Sequence, residues 1–200
     1  YQTYIGLFLC SLFSSYWLIP RIVWLSRGLG LFARTKPNVQ QSPPSLGGLA
    51  LGIPFIIGIS LLMLLRNQVS EIMYMNPMQM RGLFIGSCLA LVFGVLSDAF
   101  EPRRLIRLLL QCVLAGTAYY YGFRLEIGAS LLHPAPITIL AIVGLINFFY
   151  LFNRLSHYFT PFALLLAIRL LALAIILDQY RTVVVCCLLS GSLISMMSHN

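Results

Sequence analysis

Long apolar runs separated by short polar connections make up most of this 200-residue chain. The runs do not alternate polar and apolar residues as membrane β-strands do, so the pattern predicts helices. The hydrocarbon core of a bilayer, about 30 Å thick, needs roughly 20 helical residues to cross it. On that measure the chain predicts seven membrane-spanning helices: Tyr4–Trp24, Leu46–Leu65, Gly82–Asp98, Leu105–Tyr121, Pro136–Phe152, Pro161–Leu177 and Thr182–Met197.

The composition agrees with this pattern. The chain is 60% hydrophobic and 9% charged, and its mean hydropathy is +0.90, whereas a soluble domain carries about 25% charged residues. We therefore expect an all-α fold, a polytopic helical membrane bundle, with residues 1–200 forming a single integral-membrane domain. The five cysteines all fall inside apolar runs, which predicts small buried hydrophobes and argues against a disulfide framework.

Basic residues between the spans predict the orientation. Eight lysines and arginines follow the odd-numbered spans and four follow the even-numbered ones, and an excess of this kind marks the cytoplasmic side. The eight are Arg21, Arg27, Arg34, Lys36, Arg103, Arg104, Arg107 and Arg154, and the four are Arg66, Arg81, Arg124 and Arg181. The odd loops are thus predicted in the cytoplasm and the N-terminus outside. The net charge of +8 then reflects loops that face anionic lipid, and we expect no nucleic-acid partner.

The stretch Gly94–Gln111 concentrates charge where two apolar runs meet. Asp98 ends the third span, Glu101 follows, and Arg103, Arg104 and Arg107 come next. An acid at the end of a membrane span indicates a functional site, although pairing with the arginines at the membrane surface would also explain it. Both interpretations stay open on this stretch alone.

Two spans contain residues that need particular neighbours. Gly47, Gly48 and Gly52 at the start of the second span would let another helix or a lipid chain approach the backbone closely. Arg169 lies near the middle of the sixth span, where it should face protein or a water-filled cavity, or else snorkel or pair with a neighbouring span.

The remaining connections differ in character. Residues 66–81 are rich in methionine, which indicates an interfacial segment, and residues 122–136 predict a short hairpin. The fifth loop, Asn147–Thr160, mixes polar residues with Phe and Tyr at the predicted cytoplasmic side, where such aromatic residues form an interface belt. Lys36, Asp98 and Asn153 can converge on that side from three different loops.

An ordered set of short motifs resembles the polyprenyl-phosphate N-acetylhexosamine-1-phosphate transferases. These membrane enzymes move a sugar phosphate from a UDP-sugar onto undecaprenyl phosphate. The order and spacing hold over nearly all 200 residues and correspond to about the first two thirds of a family member, so the chain is expected to be C-terminally incomplete. The matching features are Lys36-Pro37-Asn38, Pro44-Ser45-Leu46-Gly47-Gly48, Gly94-Val95-Leu96-Ser97-Asp98, Arg107 with Gln111, Gly122-Phe123-Arg124-Leu125-Glu126, Gly144-Leu145-Ile146-Asn147 and Asn200.

The resemblance implies a bacterial inner-membrane protein whose loops act on the cytoplasmic side. Its partners would be undecaprenyl phosphate, a UDP-N-acetylhexosamine and the lipid bilayer, and a homodimer or membrane partner is left open. Mg²⁺ would be the cofactor of an active enzyme, with Asp98 as its ligand, because a magnesium ion neutralises the pyrophosphate and aligns the leaving group. The catalytic positions would be Ser97, Asp98, Asn153, Ser156 and His157, and the substrate-binding positions Lys36, Asn38, Arg103, Arg107, Asn147, Arg154 and Asn200.

The chain departs from the family pattern at the acids. Ser97, Asn153 and Ser156 stand where the family has aspartates, which leaves Asp98 alone of four. Tyr150 replaces a family asparagine, and Arg154 and His157 replace glycines. Neutral oxygens can contact magnesium but cannot neutralise its charge.

Three hypotheses follow from this mixture. The chain is a transferase relative whose catalytic centre has decayed and which still binds prenyl phosphate. Alternatively, it is a working transferase with an altered magnesium site. The third hypothesis belongs to another class: a non-catalytic membrane protein that packs against a partner.

Overall fold

The computed structural model describes residues 2–29, 47–64, 71, 76–100, 103–125, 134–155 and 159–198. Within these ranges it contains seven α-helices and no strands. The helices are α1 (Gln2–Leu29), α2 (Gly47–Leu64), α3 (Pro77–Phe100), α4 (Arg104–Tyr120), α5 (Pro134–Leu155), α6 (Phe159–Ile176) and α7 (Tyr180–Ser198).

These helices confirm the predicted all-α membrane bundle. Five of the described helices (α1, α3, α5, α6 and α7) are long and apolar enough to cross a membrane. The other two are shorter, since α2 has 18 residues and α4 has 17. Both lengths lie at the lower end of the range that spans a bilayer.

Several helix boundaries differ from the sequence prediction. Helix α3 begins at Pro77, five residues early, because proline lacks only an N–H that the first helical turn leaves unused. Met80, expected on the membrane interface, is therefore a buried core residue. Helix α5 continues to Leu155, so Asn153 and Arg154 have helical backbones where a loop was predicted. A helix can continue beyond the end of its apolar run, whereas hydropathy predicts only the bounds of the apolar run.

Helix α7 is the centre of the bundle and packs against α1, α2 and α6. Small residues allow these contacts, as is usual between membrane helices. A Cβ on Gly191 would lie 2.6 Å from the Phe8 carbonyl oxygen of α1. The Ser11 hydroxyl of α1 also donates a 2.6 Å hydrogen bond to the Leu188 carbonyl oxygen. Helices α1 and α7 therefore meet almost backbone to backbone.

Consecutive helices from α2 onward run antiparallel. Gly52 of α2 lies against Leu91 of α3, and Gly82 of α3 lies against Tyr121, which follows α4. This alternation brings the end of α3, the start of α4 and the end of α5 to the same end of the bundle. We call it the basic end, defined by Arg103, Arg104 and Arg107. It gathers the segments that the sequence predicted on one membrane side.

Helices α5 and α6 lie at the edge of the bundle. Only 6% of the apolar span of α5 is buried, and 17% of that of α6, against 56% for α7. Their outward leucines and phenylalanines suit contact with lipid. Arg169 of α6 is also exposed on this surface. Among the described residues Arg169 therefore does not face protein, and its snorkelling to the membrane surface stays a prediction.

Candidate functional site

The predicted site residues fall into two groups. Ser97, Arg103, Arg107 and Asn147 have described side chains, all at or near the basic end. Asp98, Asn153 and Arg154 have helical backbones, but their side chains lie outside the described part of the structure. Four further positions fall outside the described residues altogether, together with the last residue of the chain: Lys36, Asn38, Ser156, His157 and Asn200.

A pair of amides joins α4 to α5. Asn147 Nδ2 donates a 2.8 Å hydrogen bond to Gln111 Oε1 and a 2.9 Å bond to the Val143 carbonyl oxygen of its own helix. Gln111 is only 9% exposed. A buried amide in an apolar bundle needs such a partner, because lipid offers none. This bond fixes the rotation of α5 relative to α4.

An arginine and a tyrosine continue the same contact toward the basic end. The Arg107 guanidinium carbon lies 4.5 Å from the centre of the Tyr150 ring. Arg107 precedes Gln111 by one helical turn and Tyr150 follows Asn147 by about one, so each pair shares a helix face. We call Arg107, Gln111, Asn147 and Tyr150 the polar seam. A cation held over an aromatic ring is attracted by the ring's electron-rich face.

One donor of the polar seam has no acceptor. Arg107 Nε is buried, and none of the described residues accepts a hydrogen bond from it. Arg103 and Arg104 lie exposed beside it at the start of α4, where the helix N-terminus adds positive potential. Guanidinium groups bind phosphate and carboxylate through charge-assisted hydrogen bonds. The seam therefore offers an anion a donor that the described residues leave unused.

Sequence reasoning identified part of the seam. Arg107 and Asn147 were predicted to bind substrate, and Gln111 was noted as a family match. Tyr150 was noted only as a departure from the family, although its spacing of three residues from Asn147 places both on one face of a helix. What the sequence did not show was that α4 and α5 pack directly against each other.

An apolar groove lies between α2 and α3, with α7 as its floor. Its volume is about 260 Å³. Gly48 and Gly94 both border this space, and a Cβ on either would meet nothing within 4 Å. The groove reaches Val95, two residues before Ser97 at the basic end. The remaining lining residues are Leu49, Leu51, Gly52, Phe55, Ser87, Ala90, Leu91 and Leu189.

The glycines predicted to admit a close neighbour are used in two ways. Gly52 admits a helix, because its added Cβ would lie 2.9 Å from Leu91 Cδ1 of α3. Gly48, one turn earlier, faces the open groove instead. The prediction for Gly48 left a helix and a lipid chain open, and the groove that Gly48 borders is lined by glycines and apolar side chains apart from Ser87.

The described residues do not form a magnesium site. No three His, Cys, Asp or Glu residues of the described part come together. Ser97 is the only predicted metal-site position whose side chain is described, and one hydroxyl oxygen is too weak a donor to hold Mg²⁺.

A second cavity, of about 240 Å³, lies at the end of the bundle opposite the basic end. Gln79 of α3 borders it and makes two contacts there. Its Nε2 donates a 3.3 Å bond to the Gly122 carbonyl oxygen, and its Oε1 accepts a bond from Arg181 Nη1 of α7. These contacts tie α3 and α7 to the turn after α4, where Gly122 has a φ of +92°. Gln79 thus has a structural role.

Comparisons with protein-family models, with curated proteins and with solved structures found no match to this chain.

Proposed function

We propose that the chain binds a polyprenyl phosphate in a bacterial inner membrane, as a relative of the sugar-phosphate transferases in which transfer is lost or strongly reduced. The phosphate would lie at the basic end, on its cytoplasmic side, and the hydrocarbon chain would lie along the groove between α2 and α3. The observation that carries the proposal is this apolar groove, which reaches Val95 at the same end of the bundle as Arg103, Arg104 and Arg107.

The basic end suits the phosphate. Arg107 is held over Tyr150 with its Nε unused, while Arg103 and Arg104 remain exposed. A phosphate monoester is an anion with several acceptor oxygens, and arginine matches it with two parallel N–H donors. Because Arg107 is buried from water on one side, its attraction for an anion is less screened than that of a fully exposed arginine.

The groove suits the hydrocarbon chain for a different reason. A lipid tail in a bilayer is already out of water, so the hydrophobic effect contributes little to moving it into a groove. What the groove adds is van der Waals contact along a surface of matching shape. Gly48 and Gly94 make room for a chain to lie close to the backbone. The affinity for a polyprenyl phosphate should therefore come mainly from contacts with the phosphate, and the groove should select a hydrocarbon chain of matching shape.

The sequence argues against ordinary transfer activity. Ser97, Asn153 and Ser156 supply no negative charge where the family has aspartates. Removing one well-placed electrostatic group typically lowers a rate by about 10²–10³. The effects of replacing the three aspartates need not be additive. The replacements nevertheless favour binding of the lipid without transfer of a sugar phosphate.

Two glycine variants test the binding site. Gly94→Leu fills the groove, whereas Gly86→Leu places the same side chain on α3 in open space outside it. Purified protein in nanodiscs would be titrated with undecaprenyl phosphate and, separately, with undecaprenol. We expect binding of the phosphate to weaken about tenfold in Gly94→Leu and to stay unchanged in Gly86→Leu. Equal binding by both variants would exclude the groove, and equal binding of the two lipids would exclude a phosphate site.

A transfer assay separates this proposal from an active enzyme. Labelled UDP-N-acetylglucosamine, undecaprenyl phosphate and Mg²⁺ would be incubated with the protein and with Asp98→Asn. We expect no lipid-linked sugar from either. Product that disappears in Asp98→Asn would assign the chain as a working transferase with an altered metal site.

A further inference from the structure

One cationic side chain lies on the outer surface of the bundle in the middle of an apolar helix. Arg169 belongs to α6, whose 18 residues include no other charged residue. It is exposed, and none of the described residues forms a hydrogen bond or an ion pair with it. A charged group at the centre of a membrane span is costly unless it is partnered. Something outside the described part of the chain must therefore satisfy Arg169.

Helix α6 has two distinct faces. Thr160, Ala167 and Ala174 are buried at intervals of seven residues, toward the rest of the bundle. The opposite face carries Leu165 and Leu173, which are 62% and 51% exposed. Each lies one turn from Arg169, so the arginine stands in the middle of an outward apolar stripe. Such a stripe has the form of a helix–helix contact surface with one polar position.

The depth of Arg169 makes escape to the membrane surface difficult. It lies ten residues after Phe159 and seven before Ile176, which is about 15 Å and about 10 Å along a helix that rises 1.5 Å per residue. Side chains on a helix tilt toward its N-terminus. The guanidinium is thus directed to the more distant end, and snorkelling is the poorer way to satisfy it.

A second copy of this chain does not offer the missing group. The five carboxylates belong to Glu71, Asp98, Glu101, Glu126 and Asp178. Asp98 lies near the end of α3 and Asp178 in the turn after α6, and none of the other three belongs to one of the seven helices. None of the seven described helices carries a carboxylate in its middle, so the described part of a copy would present no anion at this depth. The described helices of a second copy therefore supply no complementary anion at this depth, which favours a different protein as its source.

We propose that the outer face of α6 is a docking surface for a transmembrane helix of another membrane protein that carries an aspartate or glutamate at mid-depth. The carboxylate pairs with Arg169, and apolar residues one turn above and below it pack against Leu165 and Leu173. A pair of this kind also sets the register of the two helices, because sliding either helix by one turn separates the charges. The inference does not depend on the lipid-binding function proposed above.

Synthetic helices test the proposal without knowledge of the natural partner. Three fluorescent peptides would share one polyleucine host of about 20 residues and carry Asp, Asn or Leu at the centre. A fourth would carry the Asp near one end. Association with donor-labelled protein would be followed by energy transfer in vesicles of zwitterionic lipid. We expect the central-Asp peptide to bind at least tenfold more tightly than the other three.

Variants of Arg169 complete the test. Arg169→Leu should abolish the preference for the central Asp, and Arg169→Lys should keep most of it. The peptide comparison on the unmodified protein stands even if a variant fails to fold. Equal binding of all four peptides to the unmodified protein would overturn the proposal, as would an unchanged preference in Arg169→Leu. Dimers of the chain itself that vanish in Arg169→Leu would also overturn it, in favour of self-association.

Discussion

Asn147 of α5 donates its side-chain amide to Gln111 of α4 across 2.8 Å. This bond is the centre of the polar seam, and the two helices on which it lies pack along the same contact. It aligns Arg107 with Tyr150 one turn away. The relative rotation of α4 and α5, and hence the position of the unused Arg107 donor, follows from this amide pair.

The first prediction concerns the stability that this pair provides. Gln111→Leu and Asn147→Leu should each lower the free energy of unfolding, because each leaves one amide without its partner in an apolar setting. The coupling energy from the double-mutant cycle should be about 0.6 kcal/mol and at most about 1.7 kcal/mol, the average and the largest value measured between membrane helices. Unfolding in mixed micelles with increasing denaturing detergent would measure it. Leu145→Ala, at an exposed position of α5, serves as the control. A coupling energy near zero would mean that the contact is incidental.

A second prediction compares three glycines under the same change to alanine. Gly191→Ala should be the most destabilising, by about 1–3 kcal/mol, because its Cβ would strike the Phe8 backbone. Gly58→Ala should cost less, since the clash is with the movable end of the Leu188 side chain. Gly116→Ala meets nothing within 4 Å and should be neutral or stabilising by up to about 1 kcal/mol.

Thermal aggregation of the purified variants would rank these three glycines. The reverse order, with Gly116→Ala the least stable, would contradict the close approach of α1 and α7.

A third prediction separates the seam arginine from an ordinary surface arginine. Arg107→Gln should weaken undecaprenyl phosphate binding tenfold or more, since a hydrogen bond to a charged group contributes about 1.5–3 kcal/mol. Arg107→Lys should recover only part, because lysine lacks the planar fork. Arg21 is a matched control, as its guanidinium also lies over an aromatic ring, 3.0 Å from the centre of the Trp17 ring.

Binding in nanodiscs at two salt concentrations would supply the measurement for Arg107. If Arg21→Gln lowered the affinity for undecaprenyl phosphate as much as Arg107→Gln, general surface charge would account for the binding. The polar seam would then not be the phosphate site.

The fourth prediction restores the acids that the family resemblance implies. The triple variant Ser97→Asp, Asn153→Asp and Ser156→Asp should raise magnesium-dependent transfer at least a hundredfold above background, if the substrate sites survive. The control changes the same serines to asparagine and keeps Asn153, so that size changes without charge. Lipid-linked radioactive sugar would be counted. No gain over the control would argue against a retained transferase cleft.

The sequence predicted the seven helices because lipid thickness sets the length of an apolar run. It placed the start of α3 too late, since an amphiphilic first turn that begins at Pro77 does not register as apolar. Helix periodicity was enough to put Arg107 and Gln111 on one face. It could not pair that face with Asn147 and Tyr150, because which helices become neighbours is decided by packing over the whole bundle.

Arg169 illustrates the same limit. Its charge and depth predicted either a protein or water-filled surrounding, or else snorkelling or pairing with a neighbouring span. The side of α6 that faces the bundle was decided by Thr160, Ala167 and Ala174, whose small side chains fit against the neighbouring α7. The positions predicted around magnesium remain predictions, because their side chains fall outside the described part.

The bond between Ser11 and Leu188 joins residues 177 positions apart. Helix α1 is therefore made long before α7, the helix against which it packs most closely. At a synthesis rate of about 5–20 residues per second, α1 waits on the order of ten seconds or more for α7 to emerge. During that interval the Ser11 hydroxyl has no α7 carbonyl to bond to. Until α7 is made, α1 has only its contact with α2, and a ribosome that stalls before residue 180 would leave the closest helix–helix approach of the described bundle unmade.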